Sequence, residues 1–480
     1  MYIKSNKKLH ILCIVRHNYK RYEDTSQCVM KIRTITLCCT LSRDLFLEDG
    51  NGFVTLEKLL QTASMVLKKV TEAYGMEGFE VQTNRIVTNN FEEWLLPAVP
   101  TEAKEIEIEM DQCVMEIQRK LNILQKFLHR YEISFCSLGA CKNSENLQYV
   151  PLILDQPFSF ACSYGASCQS TRQDFILAAK ACLEVAKRSG DNGNFGYCVA
   201  SNCPEGTPFF PASSAPSTSS SSISKSGDAK GLNYSLSIGL EAGDLVFLGT
   251  RGSTSYNEIT DTLRSVFYQA MLPVQNIIEK ALDTFAKDNN LSNVLVKYLG
   301  LDTSIAPGLQ LPESIGFGME QCGLNYLHSA EKEESTVFGD YGTIPMIAAI
   351  TGAIKSINSI NGKGESIKEE DKKIITVGYN GLMMPVMEDI ILAQRAQEKK
   401  FTIRDLMLYS TVCGVGIDTV PIPGDVNIGK LAGVYLEMNT IAYRLQKPLS
   451  CRVLPMNGLK AGDVTDTNSP FLTNTTVFEL

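Results

Sequence analysis

The sequence predicts a single large α/β domain in which strands alternate with helices as in a barrel, and three observations carry that prediction. From residue 30 onward, runs of period two rich in β-branched residues alternate with runs of period 3.6. About ten strand runs can be counted, most separated by a helical crossover, which is the pattern of a parallel barrel or an open sheet. The chain has 480 residues, 44% of them hydrophobic and 20% charged, enough to build one extensive core.

In order, residues 30–39 (MKIRTITLCC) alternate apolar and polar positions and read as a strand. Residues 55–74 place Leu56, Leu59, Leu60, Ala63, Val66, Leu67 and Val70 on one helical stripe, with Gly75 as the stop. Strands are expected at 79–88, 133–138, 158–162, 195–200, 236–247 and 296–303, and helices at 105–130, 172–188 and 259–286. Runs at 343–357, 374–379, 403–409, 412–417, 428–443 and 452–456 continue the alternation. Residues 211–226 (PASSAPSTSSSSISKS) cannot bury enough apolar surface to order themselves and read as a surface loop, and 358–373 reads as an exposed charged connection.

Residues 1–29 carry six basic side chains around the short apolar patch 11–15, too short for a secretory core, while Glu23 and Asp24 count against an organelle transit peptide. They read as a disordered extension or an early start codon, leaving 30–480 as the domain.

Composition excludes several functions. With 45 basic and 53 acidic residues the net charge is −8, which argues against a partner held by phosphate neutralisation, so no nucleic acid is expected and a small molecule is. The 15 cysteines are about 3% of the chain, below the roughly 8–10% of a disulfide scaffold, and several (Cys38, Cys39, Cys198, Cys413) sit in apolar runs, as in reduced cytoplasmic proteins. No apolar run reaches the length of a membrane helix, so no membrane partner is expected. The four histidines lack mutual metal-ligand spacing, and the pairs Cys136/Cys141 and Cys198/Cys203 lack a matching second pair, which argues against zinc and against a Ser-His-Asp hydrolase.

Sites on such folds gather where strands end. Residues 300–308 (GLDTSIAPG) deliver Asp302, Thr303 and Ser304 into a Pro/Gly turn; a carboxylate beside two hydroxyls suits a divalent metal or a substrate hydroxyl, and capping the turn explains Asp302 and Ser304 equally well. Residues 412–425 (VCGVGIDTVPIPGD) read as a Gly-rich strand ending in Asp418 and Thr419, with Asp425 as the N-cap of the next helix. Residues 206–213 (GTPFFPAS) offer Thr207 and paired aromatics as a pocket wall. Residues 379–389 bring Asn380 and, further on, Glu388 and Asp389. Glu241 and Asp244 follow in 239–244, and Arg251 in GTRGST (249–254) could cradle an anion, although that stretch matches neither a P-loop nor a dinucleotide fingerprint.

The opening MKIRTIT, the block LGLDTSIAPGLQLPESIGFGMEQ, the stretch from YSTVCGVGIDTVPIPGDVNIGK to LSCRVLP and the segment GTPFFPA together resemble the uncharacterised family catalogued as domain of unknown function 711. The resemblance covers residues 30–480. It implies the ten-stranded β/α barrel of the pyruvate formate-lyase-like fold. It does not imply radical chemistry: Cys451-Arg-Val-Leu-Pro-Met-Asn-Gly458 carries proline and asparagine where a glycyl radical loop would run, and Cys38-Cys39 only faintly echoes a cysteine relay. Bacterial members look as though they accompany small amino-acid-binding regulatory proteins, a pointer toward amino-acid-like ligands.

The expectation is therefore an enzyme acting on a small polar, amino-acid or carboxylate-like metabolite. Asp302 and Asp418 would serve as acid/base or metal-binding carboxylates, and Thr303, Ser304, Thr419, Asn380, Arg251, Glu241 and Thr207 as ligand contacts. The alternative is a metabolite-binding or scaffold homo-oligomer without turnover.

Overall fold

A strand buried on both faces must suit two different layers with alternate side chains. Residues 34–39 do so: Ile35, Leu37 and Cys39 enter the main hydrophobic core, while Thr34 and Thr36 turn to the other face, where Thr36 Oγ1 donates to the Pro208 carbonyl at 2.9 Å. The computed structural model describes residues 30–47, 51–97, 110–190, 193–216, 232–250, 255–285, 291, 294–320, 336–358 and 372–480.

Among these, the strands are β1 (Lys31–Cys39), β2 (Asn84–Thr88), β3 (Phe135–Cys141), β4 (Ser159–Ala166), β5 (Tyr197–Ser201), β6 (Leu232–Glu241), β7 (Val294–Ala306), β8 (Gly416–Pro423) and β9 (Leu449–Met456). They form one sheet in the order β7-β6-β1-β2-β3-β4-β5-β9-β8. β1 to β5 run parallel in chain order. β6 is antiparallel to β1 and β9 to β5, with β7 parallel to β6 and β8 parallel to β9. The sheet thus holds two opposed blocks rather than the single parallel set expected.

The strand expected at 374–379 is not a regular one. Instead the extended segment 374–387 bridges both edges of the sheet, to β7 at Leu301–Thr376 and Ile305–Leu382 and to β8 at Pro385–Asp418. The Ile305 N–H donates to the Gly381 carbonyl and the Val386 N–H to the Asp418 carbonyl, both at 3.1 Å, so the segment covers edges that would otherwise expose unpaired backbone groups.

The principal helices are α1 (Asn51–Met76), α2 (Met110–Arg130), α3 (Arg172–Ser189), α4 (Gly243–Thr250), α5 (Tyr256–Phe285), α6 (Thr343–Lys355), α7 (Ile390–Gln397), α8 (Ile403–Cys413) and α9 (Ile428–Arg444). The stripe predicted for α1 is buried at every position named for it. α3 and α8 each start with a reciprocal capping box, Thr171 with Asp174 and Thr402 with Asp405. Three local expectations fail. The apolar run 236–247 splits into the end of β6 and the start of α4, because periodicity alone cannot divide a short apolar run. Val412 and Cys413 close α8 rather than opening a strand. The N-cap of α9 is Asn427, whose side chain accepts from the Gly429 and Lys430 N–H groups, and not Asp425.

Residues 204–216 lie against the polar face of the sheet and tie its strands together. Beside the Thr36–Pro208 bond, Ser137 Oγ donates to the Ser213 carbonyl at 3.2 Å, and the Ala215 N–H donates to the Thr88 carbonyl at 3.2 Å. Ala212, Ser213 and Ala215 are buried, so the Ser-rich stretch begins inside the molecule rather than on its surface; 217–231 lies outside the described residues, as do residues 1–29 and Arg251.

Candidate functional site

Two opposed strand blocks place the starts of β1 to β4 beside the ends of β6 and β7, and a cavity of about 1060 Å³ opens there, with β8 and β9 as its far wall. Its charged lining comes from strands that are distant in the sheet. Arg33 (β1) reaches Glu241 Oε2 at 3.0 Å and Glu388 Oε2 at 3.2 Å, and Arg452 (β9) reaches Glu388 Oε1 and Asp418 Oδ1 (β8), each at 2.6 Å. Arg33 and Arg452 therefore grip one carboxylate although four strands separate β1 from β9 in the sheet order, so the sheet curls around the cavity. At the near rim Lys31 joins Glu313 at 2.6 Å and Glu241 at 3.3 Å, and Gln82 Nε2 donates to Glu241 at 2.9 Å.

Two β-bulges put these charges where they are. On β1 the pairing to β6 slips between Ile32 and Thr34, leaving Arg33 as the extra residue, which turns its side chain into the cavity while Ile32 and Ile35 both stay in the core. On β8 the pairing to β9 slips between Ile417 and Val420, so that Asp418 and Thr419 stand against the single residue Arg452. Thr419 carries a φ of 44°, a left-handed conformation rare for a β-branched residue, and its Oγ1 is buried with no hydrogen-bond partner among the described residues. The bulge places Asp418 in the cavity lining: Oδ1 is held by Arg452, while Oδ2 has no partner among the described residues.

Arg85, near the start of β2, is the exceptional cation. Its guanidinium carbon lies 5.6 Å from the Phe135 ring centroid and 4.9 Å from that of Phe210, and its Nε donates to Thr83 Oγ1 at 3.0 Å. Among the described residues no carboxylate lies within ion-pair distance of it, and both terminal nitrogens lack a hydrogen-bond partner. Burial and the nearby positive charge of Arg33 push its pKa down to about 9, so it stays cationic at neutral pH while its charge is poorly compensated. Arg452 behaves oppositely: burial pulls it down, but Asp418 and Glu388 raise it well above the ordinary arginine value.

Of the other residues named from the sequence that the structure describes, Glu241, Glu388 and the paired aromatics Phe209 and Phe210 line this cavity, whereas Asp302, Thr303, Ser304, Asn380, Thr419 and Thr207 do not. Asp302 is fully buried; its Oδ1 accepts from the Ser304 and Asn380 N–H groups and its Oδ2 from the Tyr379 N–H, at 2.9 to 3.0 Å, with burial raising its pKa against these bonds. It holds the 378–380 turn against β7. Asn380 Oδ1 accepts from the Thr303 N–H and hydroxyl, Ser304 Oγ accepts from the Gly381 N–H, and Thr207 Oγ1 donates to the Pro204 carbonyl. These are internal clamps. Arg33, Arg85 and Arg452 were not singled out in the sequence. The signal lay in an arginine inside or at the start of an apolar strand run (Cys451-Arg-Val-Leu, Arg85-Ile-Val), which must find a counter-charge or a ligand. No group of three or more His, Cys, Asp or Glu side chains among the described residues is arranged to hold a metal ion, and none of their helices is long and apolar enough to cross a membrane.

A family model described as "Uncharacterised ACR (DUF711)" matches residues 25–468. The chain belongs to the DUF711 family. Similar curated proteins carry the name UPF0210 protein. One from Pyrobaculum arsenaticum is 30% identical over 172 residues, 36% of this chain and 33% of that protein. One from Caldicellulosiruptor saccharolyticus is 23% identical over 285 residues, 58% and 54% of the two chains, and one from Oleidesulfovibrio alaskensis is 28% identical over 162 residues, 34% and 31%. The aligned part of the DUF711 chain thus spans between about a third and a half of these relatives' lengths. Their names record no activity, so the chemistry must be argued from the cavity.

Proposed function

We propose that the cavity binds a small carboxylate- or phosphate-bearing metabolite through Arg85 and that Asp418 carries a proton in an acid/base reaction on it. The observation that supports this most directly is the uncommitted guanidinium fork of Arg85 sharing one cavity with the free Oδ2 of Asp418. An arginine held between two aromatic rings presents parallel N–H donors at little entropic cost, and an incoming carboxylate or phosphate supplies the counter-charge the protein withholds. Asp418 is fixed at one oxygen by Arg452 and free at the other, so it can accept a proton from the bound metabolite and return it. Glu388, bridging Arg33 and Arg452, is a positioning residue that holds both arginines at fixed depth. Asp302, given a catalytic role on sequence grounds, is in this reading a fold-holding carboxylate. We further take the segment 374–387 as a tenth strand that closes the sheet into a barrel of the pyruvate formate-lyase-like kind, with residues 204–216 as its internal plug.

The test is proton exchange. The full chain is incubated in D₂O with a mixture of amino and 2-oxo acids, and the Cα–H or Cβ–H signals are followed by NMR. Exchange on one of them should be abolished in Asp418→Asn with binding retained, and Arg85→Gln should lose both. Binding that depends on Arg85 with no exchange in any variant would instead favour a metabolite-binding protein without turnover.

A further inference from the structure

We infer that the cavity selects a singly charged ligand, a monocarboxylate, and turns away dianions such as phosphate monoesters. This deepens the proposed function and rests on its anion site at Arg85. The observation that leads there is how the other charges of the lining are paired. Lys31 is held by Glu313 and Glu241, Arg33 by Glu241 and Glu388, and Arg452 by Glu388 and Asp418. Each of these cations meets two carboxylates and shares one with the next cation. The row therefore begins and ends on a carboxylate, four acidic groups to three basic ones, with one negative charge in excess. Burial pushes the Glu388 carboxyl above its ordinary value against the pull of Arg452 and Arg33, and with a guanidinium on each oxygen it stays ionised at neutral pH. Glu80, exposed and also in the lining, adds a carboxylate with no cation within ion-pair distance among the described residues.

The near end of the row shows the excess in its packing. A Cβ on Gly308 would collide with Glu313 Oε2 and stand 2.9 Å from Glu241 Oε1, so two carboxylates crowd one spot that only glycine leaves open. The buried Asp244 feels them: burial, and then the charges of Glu313 and Glu241, push it up to about 7. At the far end Asp418 keeps its second oxygen unpaired among the described residues. Arg85 is thus the one cation of the described lining whose charge is left for a ligand. A carboxylate spends its single charge and both oxygens on that one fork. A phosphate monoester brings nearly two charges and a third oxygen. The cost of taking an ion out of water grows with the square of its charge, so the second charge needs a second free cation and meets the row of carboxylates instead. A unit charge across a cavity of this size, at an effective dielectric of about 20, changes anion affinity roughly tenfold.

The experiment is calorimetric titration of the full chain at about pH 7.5 with benzoate, phenyl sulfate and phenyl phosphate. The two esters share one shape and differ by one charge, because the second proton of a phosphate ester leaves at about pH 6. Phenyl phosphate should bind at least tenfold more weakly than either monoanion. Asp418→Asn and Glu313→Gln each remove one charge from an end of the row, and either should narrow the gap between the esters at least threefold. Esters bound within tenfold of each other or both undetected, or a gap that neither variant narrows, overturn the charge selection while leaving an Arg85-dependent site for benzoate standing. Binding of none of the three, or benzoate binding indifferent to Arg85→Gln, overturns the selection and the anion site together.

Discussion

Replacing Arg85 by methionine keeps an unbranched stem between Phe135 and Phe210 but removes the charge that no carboxylate neutralises. The depression of its pKa from 12.5 to about 9 corresponds to a ceiling of about 5 kcal/mol against the charged form. The side chain is only partly buried, so solvent screens most of that, and about 1–2 kcal/mol is the realistic gain on removing the charge. Arg85→Met should therefore melt slightly higher than the unaltered protein, by about one to three degrees. At the same time the ligand loses two charge-assisted hydrogen bonds, each contributing about 1.5–3 kcal/mol, so affinity for benzoate or inorganic phosphate should fall roughly 100-fold or more. Urea denaturation and calorimetric titration on the same preparation measure both. A loss of more than about 2 kcal/mol of stability would make Arg85 a structural strut between two rings and refute the reasoning. A more stable variant that binds the anion undiminished would move the anion elsewhere.

Three further perturbations separate site from scaffold. Glu388→Gln leaves Arg33 and Arg452 facing each other without their shared carboxylate and should cost about 3–5 kcal/mol in urea unfolding, a loss that added salt does not restore. Asp302→Asn points an NH₂ group at the Tyr379 N–H and should cost about 2–3 kcal/mol, while leaving Arg85-dependent anion binding intact in whatever fraction remains folded. Asp244, raised to about 7 by burial and by the charge of Glu313, keeps its proton in the folded chain while the unfolded chain loses its own near pH 4. Stability should therefore fall as pH rises between about 4 and 7, by at most about 4 kcal/mol. Asp244→Asn should flatten the decline in melting temperature across that window; an unchanged decline would exclude Asp244 as its source.

Local pattern was enough to locate most of the elements of this protein. The stripe of α1, the caps of α3 and α8 and the alternation in β1 are properties of a few adjacent residues, and neighbouring residues decide them. Membership of the DUF711 family was legible for the same reason, in long specific blocks. Strand direction was not, because a hydrophobic run reads the same whichever way it points, and only the sheet sets β6 and β9 against their neighbours. The site followed that error. Reasoning from strand ends pointed to Asp302, whose oxygens are spent on backbone N–H groups, and passed over Arg33, Arg85 and Arg452. Asp418 was named for ending a strand, but it lines the cavity because a bulge two residues long places it there. A bulge is a mismatch between two strands, here residues more than thirty positions apart, so no reading of either strand alone contains it. Local pattern settles which segments become strands and helices, whereas the order of the strands and the meeting of the charges belong to the folded molecule, because the partners come from strands far apart in the sheet that share only the cavity.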